Sequence, residues 1–314
     1  MIAYLVRRLL SMIPVILVVA IIAFSLVRLL PGDPVAAMLG EFSTLEKQDE
    51  LRRELGLDKP VPVQFMEWAA RAARGDLGRS LKTNQRVTEA IAQRFPATLE
   101  LTILALLFAV FVGLPSGVIS AVHPNSRLDV TASIVSVLGL AIPNFFLGIL
   151  LILLFGLVLR WLPPSGYMPI DRDLFANLRL MILPSVTLGM AIAATIMRQV
   201  RSSLLDVLRQ EYVLTARSKG LRDRVVLTRH ALRNALIPVV TIVGLQVGRL
   251  FGGAVIIESV FAVPGVGRLA VEAVNNRDYS VVQGVVLFMA MAVLLSSLVV
   301  DIIYSYVDPR IRYS

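Results

Sequence analysis

The chain has 314 residues, 56% of them hydrophobic and 17% charged, with a mean hydropathy of +0.76 and a formal net charge of +9. A composition this apolar makes a lipid bilayer the expected solvent and excludes an ordinary soluble domain. The absence of cysteine excludes disulfides, thiolate metal sites and a cysteine nucleophile, and because His123 falls in a short turn and His230 in a basic loop, a two-histidine metal site is not expected.

A bilayer core of about 30 Å asks for roughly 20 apolar residues in helical form. Six runs of that order follow one another: 9–27, 101–122, 130–159, 180–197, 235–257 and 279–300, with Arg249 the one charge inside them. Each is expected to be a helix, because hydrocarbon offers no partner to an open backbone and the runs are too long for barrel strands. A cleaved secretory signal headed by Arg7 and Arg8 is the other reading of the first run; its apolar stretch is longer than a signal core, and five further spans follow it.

After the first span, Pro31 and Gly32 favour a turn, and Asp33 followed by Pro34 reads as an N-cap and first helical position. The segment 41–98 is balanced in charge and periodic around Leu51, Leu55, Val63, Phe65 and Trp68. It reads as an ordered external subdomain, either touching an external partner or bracing the first span. In the third run Pro143 interrupts the helix and Asn144 sets an amide beside it, giving a kink that bends around a pathway or adjusts packing.

The loop 198–234 holds nine Lys/Arg against three acidic residues. Such an excess places a loop on the cytoplasmic side, and with it both chain termini. The basic excess therefore belongs to one side of a membrane, which argues against nucleic-acid binding. Within the loop Leu204, Leu208, Tyr212 and Ala216 recur every four residues with Leu205 and Val213 beside them, while Arg201, Arg209, Arg217 and Lys219 lie mostly off that stripe. This predicts one amphipathic helix ending at Lys219, with Gly220 in the left-handed cap position. A second short helix is expected from about Asp223 through Val226 to Ala235, re-entering lipid near Pro238. Helix, glycine bend and helix make a compact knob, read from physics alone as either a lipid-surface loop or a docking element for a partner protein.

Further along, Gln246 and Arg249 are three residues apart and expected on one helix face, with Gly253 one turn on. A mid-span arginine costs roughly 2.5–3.5 kcal/mol on insertion scales. Pro143, Asn144, Gln246, Arg249 and Glu258 are thus candidates for a translocation path or a subunit interface, with an internal brace as the other reading; Glu258 is expected near an outer vestibule. The segment 261–274 is too short to span and reads as a re-entrant or interfacial helix. No GxxxxGK[ST], GxSxG or HExxH sequence is present, so neither an ATP cradle nor a recognisable catalytic centre is expected.

One resemblance extends over nearly the whole chain. Glu211, Tyr212, Thr215, Ala216, Lys219, Gly220 and Leu221, followed by the run from His230 to Ala235 and Pro238, resemble the cytoplasmic loop of permease subunits in the ATP-binding-cassette (ABC) importers for peptides and nickel, which would place Arg217 and Ser218 in the same coupling loop. The stretches LPGDP (30–34), LGLDKP (55–60), GDLGRS (75–80), ATLEL (97–101), GLQVG (244–248), VPGVGRL (263–269), RDYSVVQG (277–284) and DPRIR (308–312) agree in order. They are most similar to the first permease of dipeptide, oligopeptide or glutathione systems. The chain departs from the wider superfamily in having Leu214, Thr215 and Ala216 at the EAA positions of the loop, Arg233 where many relatives have proline, and Val263 where tryptophan is common.

The resemblance implies an all-α, polytopic protein of the bacterial inner membrane with six transmembrane helices and the type I ABC importer permease fold. Residues 1–94 would form the first membrane helix with an external helical region, and 95–314 the permease domain. It further implies a coupling helix at 211–221, a second homologous permease subunit, two ATPase subunits that bind ATP and Mg, and an extracytoplasmic solute-binding protein. The chain itself would bind no cofactor. The competing reading is a stand-alone secondary transporter or channel, for which ionisable groups within the spans are expected and Arg249 alone is present.

Overall fold

The computed structural model describes residues 2–29 and 58–307. The turn expected at 30–34, Leu51 and Leu55, the first half of the LGLDKP stretch and the DPRIR stretch lie outside the described residues. Among the described residues the regular structure is helical, with one isolated antiparallel bridge between Arg79 and Arg86. We number the helices α1 (Ile2–Leu29), α2 (Val61–Ala73), α3 (Val87–Val122), α4 (Arg127–Ala141), α5 (Asn144–Val158), α6 (Leu174–Leu208), α7 (Glu211–Ser218), α8 (Asp223–Val260), α9 (Val266–Asn275) and α10 (Tyr279–Val307). Two stretches are π-wound, Ile152–Val158 within α5 and Val226–Ala231 within α8.

Among the described residues five helices, α1, α3, α6, α8 and α10, are long and apolar enough to cross a membrane, and the pair α4–α5 adds a sixth if it is one broken span. That pair corrects the expectation of a kinked third helix, because its two parts meet at 110°. The residue before a proline is pushed out of the α region. Ile142 accordingly sits at φ −81°, ψ 124°, and Pro143 at φ −59°, ψ 136°, so two consecutive extended residues turn the chain where one missing hydrogen bond would have bent it.

The chain divides into two compact units, Met1–Thr98 with Pro264–Leu294 and Leu99–Val263 with Leu295–Ser314. In the first unit, α1 buries Ala20, Ala23 and Phe24, spaced as one helix face, against Trp68 and Phe65 of α2. The three rings form a cluster, with centroids 5.4 Å apart for Phe24–Phe65 and 5.8 Å for Phe24–Trp68. A second core joins Val87 and Ile91 at the start of α3, Val266 and Ala273 of α9, and Val281, Val282 and Val285 of α10. The segment 261–274, expected to hold a short helix, holds the ten-residue α9, which begins five residues later.

Two pairs of sequence motifs meet in this unit. The hairpin 78–87 is closed by Ser80 N donating to Gln85 O and Val87 N to Gly78 O. Its Ser80 hydroxyl donates to Asp278 Oδ2 at 2.5 Å, and Leu81 N to Asp278 Oδ1 at 3.1 Å, so GDLGRS is tied to RDYSVVQG. In the same way Val266 N donates to the Thr98 hydroxyl oxygen at 2.8 Å, joining VPGVGRL to ATLEL.

In the second unit α6 is the central helix: 67% of its most apolar window is buried, against 28% or less for the other four long helices. Its neighbours approach through small residues. A Cβ added at Gly113 or Gly117 of α3 would lie 2.6 Å from the carbonyl oxygen of Ala193 or Met197, and one at Gly189 of α6 would lie 2.5 Å from that of Ala105. Where lipid removes the hydrophobic drive between helices, such backbone contact supplies the association instead. Gly139 of α4 meets Met190, and Gly148 of α5 meets Thr187 and Phe261. At one end of α6, Tyr167 donates to Glu100 Oε2 at 2.8 Å and Asn177 Nδ2 to Met168 O at 2.6 Å. Burial, helped by the Glu100 acceptor, holds the Tyr167 phenol well above its ordinary pKa.

Candidate functional site

The basic knob is built by α7 and the turns on either side of it. α6 stops at Leu208, Arg209 caps it, and Gln210 is extended at φ −72°, ψ 145°. The single amphipathic helix expected through 219 is therefore two helices, and the register of the apolar stripe resets between them. Val213 and Ala216 face inward onto Val226, Val207 and Leu208, while Tyr212, expected on the buried stripe, is 43% exposed. Arg209 and Gln210 are ordinary helix formers, so nothing in the local sequence marks the break.

Tyr212 compensates by bonding. Its hydroxyl donates to His230 O at 3.3 Å and accepts from Asn234 Nδ2 at 2.8 Å, which fastens α7 to the π-wound stretch of α8. A π turn shifts the backbone ladder and recurs at functional positions. Gly220 has φ +76° with open space around it, as the left-handed cap requires, and Arg217 pairs with Asp223 at 3.5 Å across the bend. The second helix of the knob is not the short one expected from Asp223 to Ala235: it runs unbroken through Pro238 to Val260. Glu211, Leu214, Thr215, Arg217, Ser218, Lys219, Gly220 and Leu221 are all exposed.

An anchor that the sequence reading missed lies beside the knob. Arg201 grips Asp129 with two parallel bonds, Nε to Oδ1 at 2.7 Å and Nη2 to Oδ2 at 2.8 Å. Asp129 also accepts from Asn125 N, and its own amide donates to Ser126 Oγ, the N-cap of α4. The Ser126-x-x-Asp129 spacing of a capping box was the available signal. Ala121, Leu204, Ala231 and Ala235 close the core between α3, α6 and α8.

The polar positions in the spans do not converge. Pro143 is exposed and Asn144 half-buried at the α4–α5 break. Gln246 and Arg249 were expected to share a face; Gln246 is 6% exposed, whereas Arg249 is exposed on the surface of the chain. Three residues along a helix differ by about 60° in direction, enough to separate a packed face from an open one. Glu258, expected at an open vestibule, is fully buried in this conformation. The chain turns back over it, with Val263 N donating to Glu258 O and Gly166 N to Phe261 O.

Comparison with known proteins matches residues 113–313 to the family described as binding-protein-dependent transport system inner membrane component, and residues 1–102 to its N-terminal counterpart. The chain belongs to this family. Over the full length of both chains it is 43% identical to the glutathione transport system permease protein GsiC of Pectobacterium atrosepticum and 42% identical to a putative peptide transport system permease protein of Brucella abortus. It is 40% identical to the dipeptide transport system permease protein DppB of Alkalihalophilus pseudofirmus, again over all of both chains. Among solved structures it is similar in fold to a chain of the inward-facing MetNI methionine ABC transporter, with a TM-score of 0.58 and 20% identity, covering 69% of this chain and 96% of that one.

The binding-protein-dependent permease is therefore a multi-pass inner-membrane subunit of an ABC importer, a transport component rather than an enzyme. The stand-alone carrier is not favoured.

Proposed function

We propose that the chain forms half of the membrane path of an importer for peptides or a related small solute such as glutathione, and that 211–221 is its coupling helix. The observation that carries the coupling reading is the division of labour in α7. Val213 and Ala216 fix it inward, while Leu214, 50% exposed, and Leu221, 40% exposed, stand outward among Arg217, Ser218 and Lys219. An apolar tip ringed by polar residues, held by a hydrogen-bonded clasp to a membrane helix, suits a groove on a partner protein. The names of the full-length relatives support the solute class.

In this reading two ATPase subunits bind ATP and Mg and press on the knob, a second homologous permease completes the path, and an extracytoplasmic binding protein delivers the solute. The knob and both termini face the cytoplasm. Residues 1–94 supply the first membrane helix and external region, and 95–314 the permease domain. Arg249, exposed at mid-span with no carboxylate in reach among the described residues, faces the path or the partner permease, where its charge is met. Asn144 and Pro143 sit at the α4–α5 break, and Gln246 and Glu258 would join the path on a change of conformation.

The test is co-purification of the chain with its ATPase, comparing wild type with Leu214→Asp, a surface change that leaves Val213 and Ala216 in place. Loss of the ATPase and of solute-stimulated ATP hydrolysis, with membrane insertion intact, supports the coupling helix. Full retention of both in Leu214→Asp sinks it.

A further inference from the structure

The turn between α5 and α6 has a chemistry that the transport reading does not use. α5 ends in an exposed apolar face: Leu153, Leu154, Leu157 and Val158 are all 45% exposed or more. The chain then turns sharply at Arg160, φ +56°, and Trp161 N and Leu162 N both donate to Phe155 O, at 2.9 and 3.2 Å. This fixes the Trp161 ring 5.8 Å from that of Phe155. The chain has two tryptophans; Trp68 is buried, whereas Trp161 is 63% exposed. From the first turns of α6, Arg179 Nη2 donates to Trp161 O at 3.1 Å, and its guanidinium lies 5.9 Å from the centroid of Phe175, a ring 72% exposed.

The arginine is held in place yet largely unused. Of its five N–H donors one is engaged, and among the described residues no carboxylate lies within ion-pair reach of it. Asp173 is occupied as the N-cap of α6, accepting from Ala176 N at 3.0 Å. Arg160 and Arg172 are exposed in the same turn, against Asp171.

An amphipathic ring and a planar cation at the end of an exposed apolar helix mark headgroup depth in a bilayer. The guanidinium fork matches the two free oxygens of a phosphodiester. We propose that this turn is a binding site for an anionic phospholipid, with Arg179 holding the phosphate, Trp161 and Phe175 flanking it, and the acyl chains lying along Leu153, Leu154 and Leu157. The charge favours an anionic headgroup, since residues 160–179 hold three arginines against two aspartates and the zwitterionic alternative brings its own cation.

The experiment uses the assembled transporter in nanodiscs of phosphatidylcholine, with a minor fraction of lipid brominated on its acyl chains. Trp161 emission is read as the difference between wild type and Trp161→Phe. Brominated phosphatidylglycerol is expected to quench it as strongly as about fivefold more brominated phosphatidylcholine, the partition one surface cation gives. Arg179→Gln brings the two lipids to parity. Rising salt does the same in the wild type by screening, which supplies the test without a substitution. Equal quenching by the two lipids in low salt overturns the proposal. No quenching by either also overturns it and assigns the turn to a protein contact, and selectivity that survives Arg179→Gln removes Arg179 from the site.

Discussion

Arg201 and Asp129, 72 residues apart, meet as a two-pronged ion pair in which the carboxylate is 4% exposed and the guanidinium 32%. Fork geometry binds the start of α4 to α6 two turns before the knob, and neither partner has a second counter-ion to fall back on among the described residues.

Asp129→Asn is expected to lower stability by about 1.5–3 kcal/mol, the range for a lost hydrogen bond to a charged group. Arg201→Lys is expected to cost less but still measurably, because an ammonium makes one bond where the fork makes two. Thermal inactivation of the detergent-solubilised assembly checks both; a midpoint unchanged in Asp129→Asn contradicts the assignment.

Asp278 accepts from three donors, the Ser80 hydroxyl, Leu81 N and Val281 N. Ser80→Ala removes one and is expected to cost about 1 kcal/mol. Asp278→Asn is expected to cost more, since its amide group would turn an N–H toward one of the remaining donors. Limited trypsin cleavage at Lys82 and Arg86, faster in Asp278→Asn than in Ser80→Ala, is the expected pattern.

The glycines separate by environment. Gly113→Ala must push against the Ala193 carbonyl, whereas a Cβ at Gly252 meets nothing within 4 Å. Overpacking at the first is expected to cost about 1–3 kcal/mol and to reduce the yield of folded protein, with Gly252→Ala close to wild type. Equal yields would contradict the close α3–α6 contact.

At Gly220 the strain is conformational. Gly220→Ala keeps the bend at a cost of roughly 1–2 kcal/mol for the left-handed backbone. Gly220→Pro cannot adopt φ +76° at all. Solute-stimulated ATP hydrolysis is expected to persist in the first variant and to vanish in the second.

Much of this architecture is legible in the sequence. Charge-free runs identified α1, α3, α6, α8 and α10, because the bilayer imposes a length that few other structures need. Gly220 and Asp223 were readable from local conformational preference. What stayed hidden depends on register. In a helix apolar all round, nothing in the composition tells a packed face from a lipid-facing one, so Gln246 and Arg249 were grouped although the fold separates them. The break at Arg209–Gln210 has no marker residue, and Pro143 announced an interruption without its size. The Arg201–Asp129 pair joins residues 72 apart, which no local pattern marks, although the Ser126-x-x-Asp129 spacing was there to be read.

Gly113 and Gly117 let the backbone of α3 lie against the Ala193 and Met197 carbonyls of α6, with the Ile196 and Val200 side chains beside the contact. Sliding of packed helices needs side chains that yield as one passes another. A contact this close leaves little room for that, so within their unit these stretches of α3 and α6 are expected to tilt together. A tilt imposed at the end that carries the knob is expected to pass along the contact as far as Gly189, beyond which Pro184 interrupts the ladder of α6.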